Sequence, residues 1–501
     1  MSDDLLAPYV TNLDRPVFAL RNLPEEVLAV LFAYYSRSSQ SLRANLCTLL
    51  AAGDLDLVGG RALADDDDAL ADARERARCF HEKWVVGYGH GSVAEHAVVH
   101  LAVEDVSIVA SKAIEDNRLA SYTEKSTRYV AFAPESFVRE PTIAESGDAA
   151  LYDETCRLAL ATYARLLPQI EEQVRADFAP PADWAPRRYD SVCRAQACDV
   201  ARYLLPAATR TNLGLTINGR ALEHMLTKLF SSELRELRTL AAAMRREAEH
   251  IVPTLIKYAD PNPYLRATPR RVRELAADLL PSSPPVAEAN GARLLAGPAE
   301  PLVDLATAIL YEARHEPFAG VRAQVAALSA AQRSAVIAAY LDGRGRFDAP
   351  LRALEHLTYT FEVLVDYGAY RDIQRHRLCT QTSQVLDTSA GYETPPEIAA
   401  LGHGPAYHTV MARSFDAHAA LTARHGEEAA QYVLPLAWRK RVLFTWNLRE
   451  LHHFIALRSG RQGHPSYRHI AQDCWRELER VCPELAAGVR VDLAARELAR
   501  G

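Results

Sequence analysis

The chain has 501 residues, a formal net charge of −7 at pH 7, 49% hydrophobic residues and 24% charged residues. This length exceeds what one hydrophobic core usually serves, and it predicts two or more domains. The acidic balance disfavours general binding to nucleic acid, which needs a basic surface. The apolar runs are too short to span a bilayer, no secretion signal opens the chain, and the eight cysteines are scattered. We therefore expect a soluble cytoplasmic protein with reduced thiols and without membrane or nucleic-acid partners.

The N-terminal region is predicted to contain helices, a tight turn and a strand. Residues 24–50 have apolar side chains at helical spacing, and residues 74–84 form a charged helix after a run of aspartates that suits a solvated helix start. Ser92 and Glu95 follow a glycine-rich turn and fit a capping box. The residues from 97 to 106 have a β-rich composition and predict a strand.

A second strand in the C-terminal half shares the context of the first. From Leu357 to Val365, every second side chain is apolar, which places Leu357, Tyr359, Phe361, Val363 and Val365 on one face of a strand. Each of the two predicted strands follows a Glu-His pair, and Glu355 comes 260 residues after Glu95. The shared context indicates an internal repeat.

Two further motifs support a tandem duplication. A Leu-Pro step occurs at Pro206 and again at Pro435, 229 residues later. An Asn-x-Arg step occurs at Asn218 and again at Asn447, at the same offset of 229 residues. Because this offset is smaller than that of the Glu-His pairs, the second copy is predicted to be shorter in its middle.

The copies are predicted to be separated by a proline-rich linker. We assign residues 1–260 to the first copy, 261–300 to the linker and 301–501 to the second copy. Part of the linker, near residues 272–280, is compatible with a helix. Each copy combines long amphipathic helices with one or two strands, which is an α+β pattern with a small, mostly antiparallel sheet. No glycine-rich dinucleotide motif and no phosphate-loop motif is present, so the usual dinucleotide folds are disfavoured.

The motifs of both copies resemble those of the flavin-dependent thymidylate synthases. The resemblance covers roughly residues 75–251 and 301–484, and it implies two tandem domains of the thymidylate-synthase-complementing type that form a pseudo-dimer. The first copy contributes Gly89-His90-Gly91-Ser92, Glu95-His96, Ser121-x-x-Glu124-x-Ser126-x-Arg128-Tyr129, Ala201-Arg202-Tyr203-Leu204-Leu205-Pro206 and Asn218-x-Arg220. The second copy contributes Arg375-His376-Arg377, Leu434-Pro435, Asn447-x-Arg449 and Arg458.

Neither copy holds the whole family motif, and the losses are complementary. The first copy has Asp116-Asn117-Arg118 where the family has Arg-His-Arg, and the second copy has Asp387 at the position of Arg128. In addition, Gln431 replaces Arg202 in the second copy, and Leu229 replaces Arg458 in the first. Family active sites form between the subunits of a homotetramer. The resemblance therefore implies composite sites made by both copies, in a homodimer that acts as a pseudo-tetramer.

The resemblance implies transfer of a one-carbon unit from methylenetetrahydrofolate to carbon 5 of dUMP, with FAD reduced by NADPH. Arginine forks suit a nucleotide phosphate. The implied substrate-binding residues are Glu124, Ser126, Thr127, Arg128, Arg202 and Arg458. The implied FAD-binding residues are His90, Ser92, Glu95, Arg118, Asn218, Arg220, His224, Arg375, His376, Arg377, Asn447, Arg449 and His453. The candidates for a catalytic role are His376, Arg377 and Ser126, the last by positioning substrate rather than as a covalent nucleophile.

Alternative interpretations stay open at this point. The protein is an active thymidylate synthase, a flavoenzyme of the same fold acting on another pyrimidine nucleotide, or a non-catalytic nucleotide- or flavin-binding descendant. Asn218 and Asn447 also suit simple helix N-caps. Asp387 would repel a phosphate, so we expect the site to use the loop from Ser126 to Arg128. The histidines at positions 452, 453, 464 and 469 lack accompanying acids or cysteines, so no metal is predicted.

Overall fold

The computed structural model describes residues 5–35, 38–51, 91–281 and 289–494. The predicted helix 74–84, the run of aspartates before it and His90 lie outside the described residues. The chain divides into two compact units. Unit 1 comprises Met1–Val106, Ala113–Glu124 and Thr211–Ser282, and unit 2 comprises Ser107–Lys112, Lys125–Arg210 and Ser283–Gly501. Unit 2 thus contains part of the first copy together with the second copy, and the domain boundaries expected from the repeat stay a prediction.

The first copy begins with two helices and continues as a small sheet interleaved with helices. Its elements are α1 Glu25–Tyr35, α2 Leu42–Ala51, β1 Val98–Ser107, α3 Ile108–Glu115, β2 Ala120–Glu124, α4 Pro141–Ala144, α5 Ala149–Asp177, α6 Pro186–Ala201, β3 Arg210–Asn218, α7 Gly219–Phe230 and α8 Arg235–Ala248. Strand β1 matches the strand expected over residues 97–106.

The described part of the proline-rich stretch between the copies contains a helix and a strand. It contains α9 Pro263–Leu279 and β4 Gly291–Ala296. Asn262 caps α9 by accepting from the backbone N–H of Tyr264 and Leu265. Pro263 follows at the first helical position, where its missing N–H costs nothing. The prolines therefore start a helix here instead of preventing one.

The second copy repeats the sheet and the helices around it. Its elements are α10 Pro301–Tyr311, α11 Phe318–Ala327, α12 Ala330–Leu341, β5 Thr358–Asp366, α13 Tyr367–Ile373, β6 Cys379–Ser383, α14 Pro396–Ala400, α15 Gly404–His425, α16 Glu427–Ala430, β7 Arg439–Asn447, α17 Leu448–Arg458, α18 Pro465–Val481 and α19 Pro483–Ala487. Among the described residues, no helix is both long enough and apolar enough to cross a membrane.

The two sheets have matching strand order and matching register. The order is β1-β3-β2 in the first copy and β5-β7-β6 in the second, where β4 is added beside β5. In the antiparallel pairing of β2 with β3, Ala120 lies opposite Ile217. In the pairing of β6 with β7, Cys379 lies opposite Trp446, which is the same register shifted by the two repeat offsets. The α+β class with small antiparallel sheets and long helices is therefore confirmed.

The difference in offset arises mainly in the helices between the second and third strands of each copy, and the rest arises in the loops around them. In the first copy α5 has 29 residues and α6 has 16. In the second copy α15 has 22 residues and α16 has 4. The shorter middle predicted for the second copy is therefore a shortened pair of helices.

The core of the second copy positions helix α17. Along β5, Tyr359, Phe361, Val363 and Val365 are at most 1% exposed, so they form the buried face that their alternation predicts. Towards the end of the strand, Leu364 on the other face is buried as well. The Trp446 ring stacks on Phe444 at 4.6 Å and on Phe454 of α17 at 4.8 Å. These aromatic contacts hold α17, which carries Arg458, against the sheet.

Within unit 2, the two copies exchange reciprocal backbone hydrogen bonds. The N–H of Ala207 donates to the carbonyl of Leu434 at 2.9 Å, and the N–H of Leu436 donates to the carbonyl of Leu205 at 2.8 Å. Leu436 is the counterpart of Ala207, and Leu434 is the counterpart of Leu205. The two hydrogen bonds are therefore the same contact, donated once by the first copy and once by the second. Each copy thus makes the same pair of backbone contacts with the other copy.

Candidate active site

Arg128 of the first copy is buried in an ion pair. Its Nε and Nη2 both donate to the carboxylate of Asp199 at the end of α6, in a two-pronged arrangement. Its Nη1 donates to the hydroxyl of Tyr467 on α18 at 3.4 Å, and its backbone N–H donates to Ser126 Oγ at 3.2 Å. The loop from Ser126 to Arg128 is thus tied to both copies.

The ion pair keeps both charges despite burial. Burial would lower the pKa of Arg128, but the attraction of Asp199 outweighs it and raises this pKa above its ordinary value. Burial would raise the pKa of Asp199, but the attraction of His464 and Arg128 holds it well below its usual range. Asp199 is therefore a carboxylate at any pH near neutrality.

Sequence reasoning missed Asp199. It lies three residues before Arg202, and Glu428 occupies the corresponding position of the second copy. An acid present at the same place in both copies was a signal that the repeat contained. The sequence did not indicate that Asp199 pairs with Arg128, because the two residues are 71 positions apart in the chain.

Arg202 offers buried donors to the same region. Its side chain is 3% exposed, and its Nη1 lies 3.6 Å from Asp372 Oδ2. Its Nε and Nη2 have no hydrogen-bond partner among the described residues. Buried donors without acceptors are unfavourable, so this arginine suits an anionic ligand that accepts from them.

Arg458 of the second copy is held by a buried histidine. Its Nε donates to His376 Nε2 at 2.9 Å, and its Nη2 donates to the Asp372 carbonyl at 2.6 Å. His376 Nδ1 lies 3.1 Å from Glu450 Oε1 and donates to it. Burial lowers the pKa of His376, which is therefore neutral with its proton on Nδ1. Both ring nitrogens are engaged, so His376 orients Arg458.

Four arginines surround one carboxylate at the centre of this cluster. Burial would raise the pKa of Asp372, but attraction to Arg202, Arg375, Arg458 and Arg128 lowers it, in that order of strength. Two of these arginines come from each copy. The structure therefore brings together arginines that the sequence places between 173 (Arg202 to Arg375) and 330 positions apart (Arg128 to Arg458).

The remaining second-copy candidates lie on the more open side of His376. Arg375 is exposed, Arg377 is half-buried, and the exposed ring of His453 lies 5.3 Å from the ring of His376. This side presents cationic and N–H donor groups, which fit the edge of a flavin where reduction builds negative charge.

Asn218 and Asn447 are helix N-caps, as the simpler interpretation held. Asn218 accepts from the N–H of Ala221, and Asn447 accepts from the N–H of Glu450. The arginines that follow also have equivalent roles: Arg220 pairs with Glu95 at 2.5 Å, and Arg449 pairs with Glu355 at 3.0 Å. These residues stabilise the same strand-to-helix junction in each copy.

The capping box expected from Ser92 and Glu95 is replaced by another contact. Gly91–Glu95 forms a short 3-10 turn, and the Glu95 carboxylate pairs with Arg220. A charged partner is preferred over a neutral backbone donor. Ser92 is exposed.

The other first-copy candidates are divided between the two units. Ser126 is half-buried and Thr127 is buried, both in unit 2 with Arg128 and Arg202. Glu124 accepts from the Thr211 hydroxyl at 3.3 Å in unit 1. Unit 1 also holds Ser92, Glu95, Arg118, Asn218, Arg220 and His224, of which Arg118 and His224 are exposed.

A cleft of about 370 Å³ borders the cluster from the side of Asp199. Tyr203, His464 and Ser466 also line it, and the Tyr203 hydroxyl lies 2.8 Å from Ser466 Oγ. Among the described residues, no group of three histidines, cysteines or acids is arranged to hold a metal ion. His452 is buried beside Arg344 and Arg490, and burial lowers its pKa to about 3.

Comparison with known proteins identifies the family. The family described as thymidylate synthase complementing protein matches residues 45–254 and 298–484. A Chlamydia muridarum protein described as UPF0159 protein is 33% identical over 99% of this chain and 96% of its own length. The flavin-dependent thymidylate synthase of Thermococcus kodakarensis is 36% identical over 29% of this chain and 52% of its own length.

A crystal structure of the Helicobacter pylori flavin-dependent thymidylate synthase, complexed with FAD and dUMP, matches 40% of this chain and all of its own at 16% identity and a TM-score of 0.31. An agreement this partial carries no argument, whereas the family matches cover most of the chain in two separate stretches. The resemblance seen in the motifs is thereby confirmed, and the chain belongs to the thymidylate synthase complementing family, that of the flavin-dependent thymidylate synthases.

Proposed function

We propose that this protein methylates carbon 5 of dUMP, with FAD as cofactor, methylenetetrahydrofolate as carbon donor and NADPH as reductant. The observation that carries the proposal is the buried arginine cluster, in which Arg128 and Arg202 of the first copy meet Arg458 of the second around Asp372. Neither copy holds all of these residues. The site is therefore composite, and the reciprocal bonds between the copies support a pseudo-dimer inside one chain.

The charge of the cluster suits a phosphate monoester. Arg128, Arg202, Arg375 and Arg458 carry four positive charges, and Asp199 and Asp372 carry two negative ones. Asp366, which interacts with Arg202 and has a pKa raised to about 6, adds a third acid at neutral pH. The arginines still outnumber these acids, so the cluster suits a phosphate monoester, whose charge is about −1.5 to −2 at neutral pH. Arg202 supplies the donors that lack protein acceptors, while Asp199 holds Arg128 in a fixed orientation.

The residues present fit a flavin on the open side of His376. Arg375, Arg377 and His453 would face its pyrimidine edge, and the neutral His376 keeps Arg458 turned towards the nucleotide. FAD, when bound and reduced by NADPH, would supply the hydride that the reductive methylation requires. Ser126 positions the substrate loop, because its Oγ already accepts from the backbone of Arg128.

One observation favours a second candidate, a flavoenzyme for another pyrimidine nucleotide. Asp199 occupies two donors of the arginine that the family resemblance assigns to the phosphate. The phosphate contacts are then redistributed towards Arg202 and Arg458, and the bound nucleotide lies differently from the one that the resemblance implies.

Two measurements test these proposals. The absorption spectrum of the purified protein, reconstituted with FAD and separated from free flavin, should show a bound flavin band. Tritium release from carbon-5-labelled dUMP should then require FAD, methylenetetrahydrofolate and NADPH together. Flavin binding without release from dUMP, but with release from labelled dCMP, would favour the second candidate. Absence of both flavin binding and release would contradict both proposals.

A further inference from the structure

Helix α9, Pro263–Leu279, has no buried residue. It lies between the two stretches that match the family, 45–254 and 298–484, so the family fold does not explain it. Unit 1 holds the helix by its start and its middle. The N–H of Asn262 donates to Ser231 Oγ at 2.8 Å, and Arg273 pairs with Glu233 at 2.6 Å. The helix is therefore anchored but largely uncovered.

The apolar side chains of α9 follow the spacing of a helix that packs against another helix. Leu265, Val272, Leu275 and Leu279 lie on one stripe together with the polar Thr268, and the five positions are spaced three, four, three and four residues apart. This is the spacing of the contact positions in a two-helix coil. Val272, Leu275 and Leu279 are 56%, 49% and 74% exposed. A contiguous exposed stripe of this kind marks an interaction surface.

We propose that α9 packs antiparallel against α9 of a second copy of this chain. In this antiparallel pair, Val272 of one helix packs against Leu275 of the other, and Thr268 then packs against Leu279 of the other. The flanking positions on one edge of the stripe are Arg271 and Asp278, seven residues apart. An antiparallel pair brings the same edge of both helices together, so Arg271 of each copy faces Asp278 of the other.

This charge pattern selects a second copy as the occupant. In a parallel pair, the edge with Arg271 and Asp278 would face the opposite edge, which carries Pro269 and Ala276 and forms no ion pair. Two exposed tyrosines beside the start of α9, Tyr258 at 66% and Tyr264 at 69%, extend the apolar surface. They add contact area, which a stable dimer needs beyond two short helices. The proposal does not depend on the proposed reaction.

Sedimentation velocity of the full chain over a concentration series tests the docking surface. The wild-type chain should form dimers, and Leu275→Asp should weaken the dimer at least about tenfold, because it buries a charge in the central layer. Val17→Asp, at an 84% exposed position, is the control and should leave the dimer unchanged. Melting temperatures of the variants should stay close to wild type, since the substituted residues are exposed.

A charge reversal tests the antiparallel arrangement. Arg271→Asp and Asp278→Arg should each weaken the dimer about threefold or more, and the double variant should restore it. A wild-type chain that stays monomeric overturns the proposal, and binding of that monomer to anionic vesicles would assign the stripe to a membrane surface instead. A dimer unaffected by Leu275→Asp, or single reversals that the double variant does not rescue, also overturns it.

Discussion

The loop that carries Arg128 and the matching loop that carries Asp387 occupy equivalent positions in the two copies. In the first copy, Arg128 is buried against Asp199 and Arg202 lies nearby. In the second copy, Asp387 accepts from the backbone N–H and the hydroxyl of Ser389, at 3.1 and 2.8 Å. It thus stabilises its own turn and does not belong to an arginine cluster.

The acid that pairs with Arg128 has a counterpart in the second copy, but Arg128 itself does not. Glu428 matches Asp199, and its carboxylate accepts from the Gln431 side chain at 3.1 Å. Gln431 matches Arg202. Loss of the two arginines therefore leaves local neutral contacts in the second copy. The loop of Asp387 is therefore a local turn, whereas the matching loop of the first copy contributes Arg128 to a buried arginine cluster.

The largest expected difference between the copies concerns the acids. Asp199→Asn should lower the free energy of unfolding by about 3–5 kcal/mol, because it leaves the buried Arg128 without its counter-charge. Glu428→Gln, the matched change in the second copy, should cost less than about 1 kcal/mol because it breaks a contact to a neutral amide. Denaturant titration at pH 7 measures both, and equal losses would contradict the difference drawn between the copies.

The pH dependence of this effect has a definite sign. The pKa of Asp199 is lowered in the folded protein, so its contribution is present above its ordinary pKa, near ~3.9, and is lost as the pH falls further. The difference in the free energy of unfolding between wild type and Asp199→Asn should therefore become smaller below about pH 4. A gap that is constant with pH would show that the loss arises from packing alone.

The start of the helix after the first strand of each copy gives a second comparison. Ser107 and Asp366 are matched N-caps that accept from Ala110 and Ala369 at 2.9 and 2.8 Å. Burial raises the pKa of Asp366 to about 6. Its proton is then held more tightly in the folded state, so this group makes stability fall as the pH rises from about 4 to 6.

Asp366→Asn should remove the fall in stability between about pH 4 and 6, because asparagine does not titrate, and it should still cap the helix by accepting from the N–H of Ala369. The difference in unfolding free energy between variant and wild type should grow by about 3 kcal/mol between pH 4 and pH 7, at about 1.4 kcal/mol for each pKa unit. Thermal or urea unfolding across this range measures it. A difference that does not change with pH would mean that Asp366 titrates normally.

Arg202→Gln installs the residue of the second copy in the first. It should reduce dUMP turnover at low substrate about 10- to 150-fold, because hydrogen bonds to a charged group contribute about 1.5–3 kcal/mol. Gln431→Ala is the control and should change turnover less than about twofold. If both variants behave alike in tritium release, the site does not lie on the Arg128 side.

The smallest expected effect belongs to the turn of Asp387. Asp387→Asn should change the free energy of unfolding by less than about 1 kcal/mol, since asparagine can make the same turn contacts. Asp387→Arg should not create a second nucleotide site, because Gln431 still stands in place of an arginine. Counting bound nucleotides per chain by equilibrium titration would show whether the number rises.

Local patterns predicted much of the fold. The alternation from Tyr359 to Val365 marked a strand with one buried face, and the two repeat offsets anticipated the identical register of Ala120 with Ile217 and Cys379 with Trp446. These features depend on periodicity and order, which the sequence contains directly. Helix α9 begins earlier than the sequence indicated, because a proline at a helix start resembles a proline in a linker.

The sequence by itself determined the family, the duplication and the complementary losses of the two copies, because short motifs at constant offsets identify them without any knowledge of packing. Only the tertiary structure decided that Asp199 is the partner of Arg128, and that His376 is a neutral support for Arg458. Such pairings join residues tens to hundreds of positions apart, and they depend on how helices such as α6 and α17 are oriented by the core. Burial then sets the charge of each group, and burial is a property of the fold rather than of a motif.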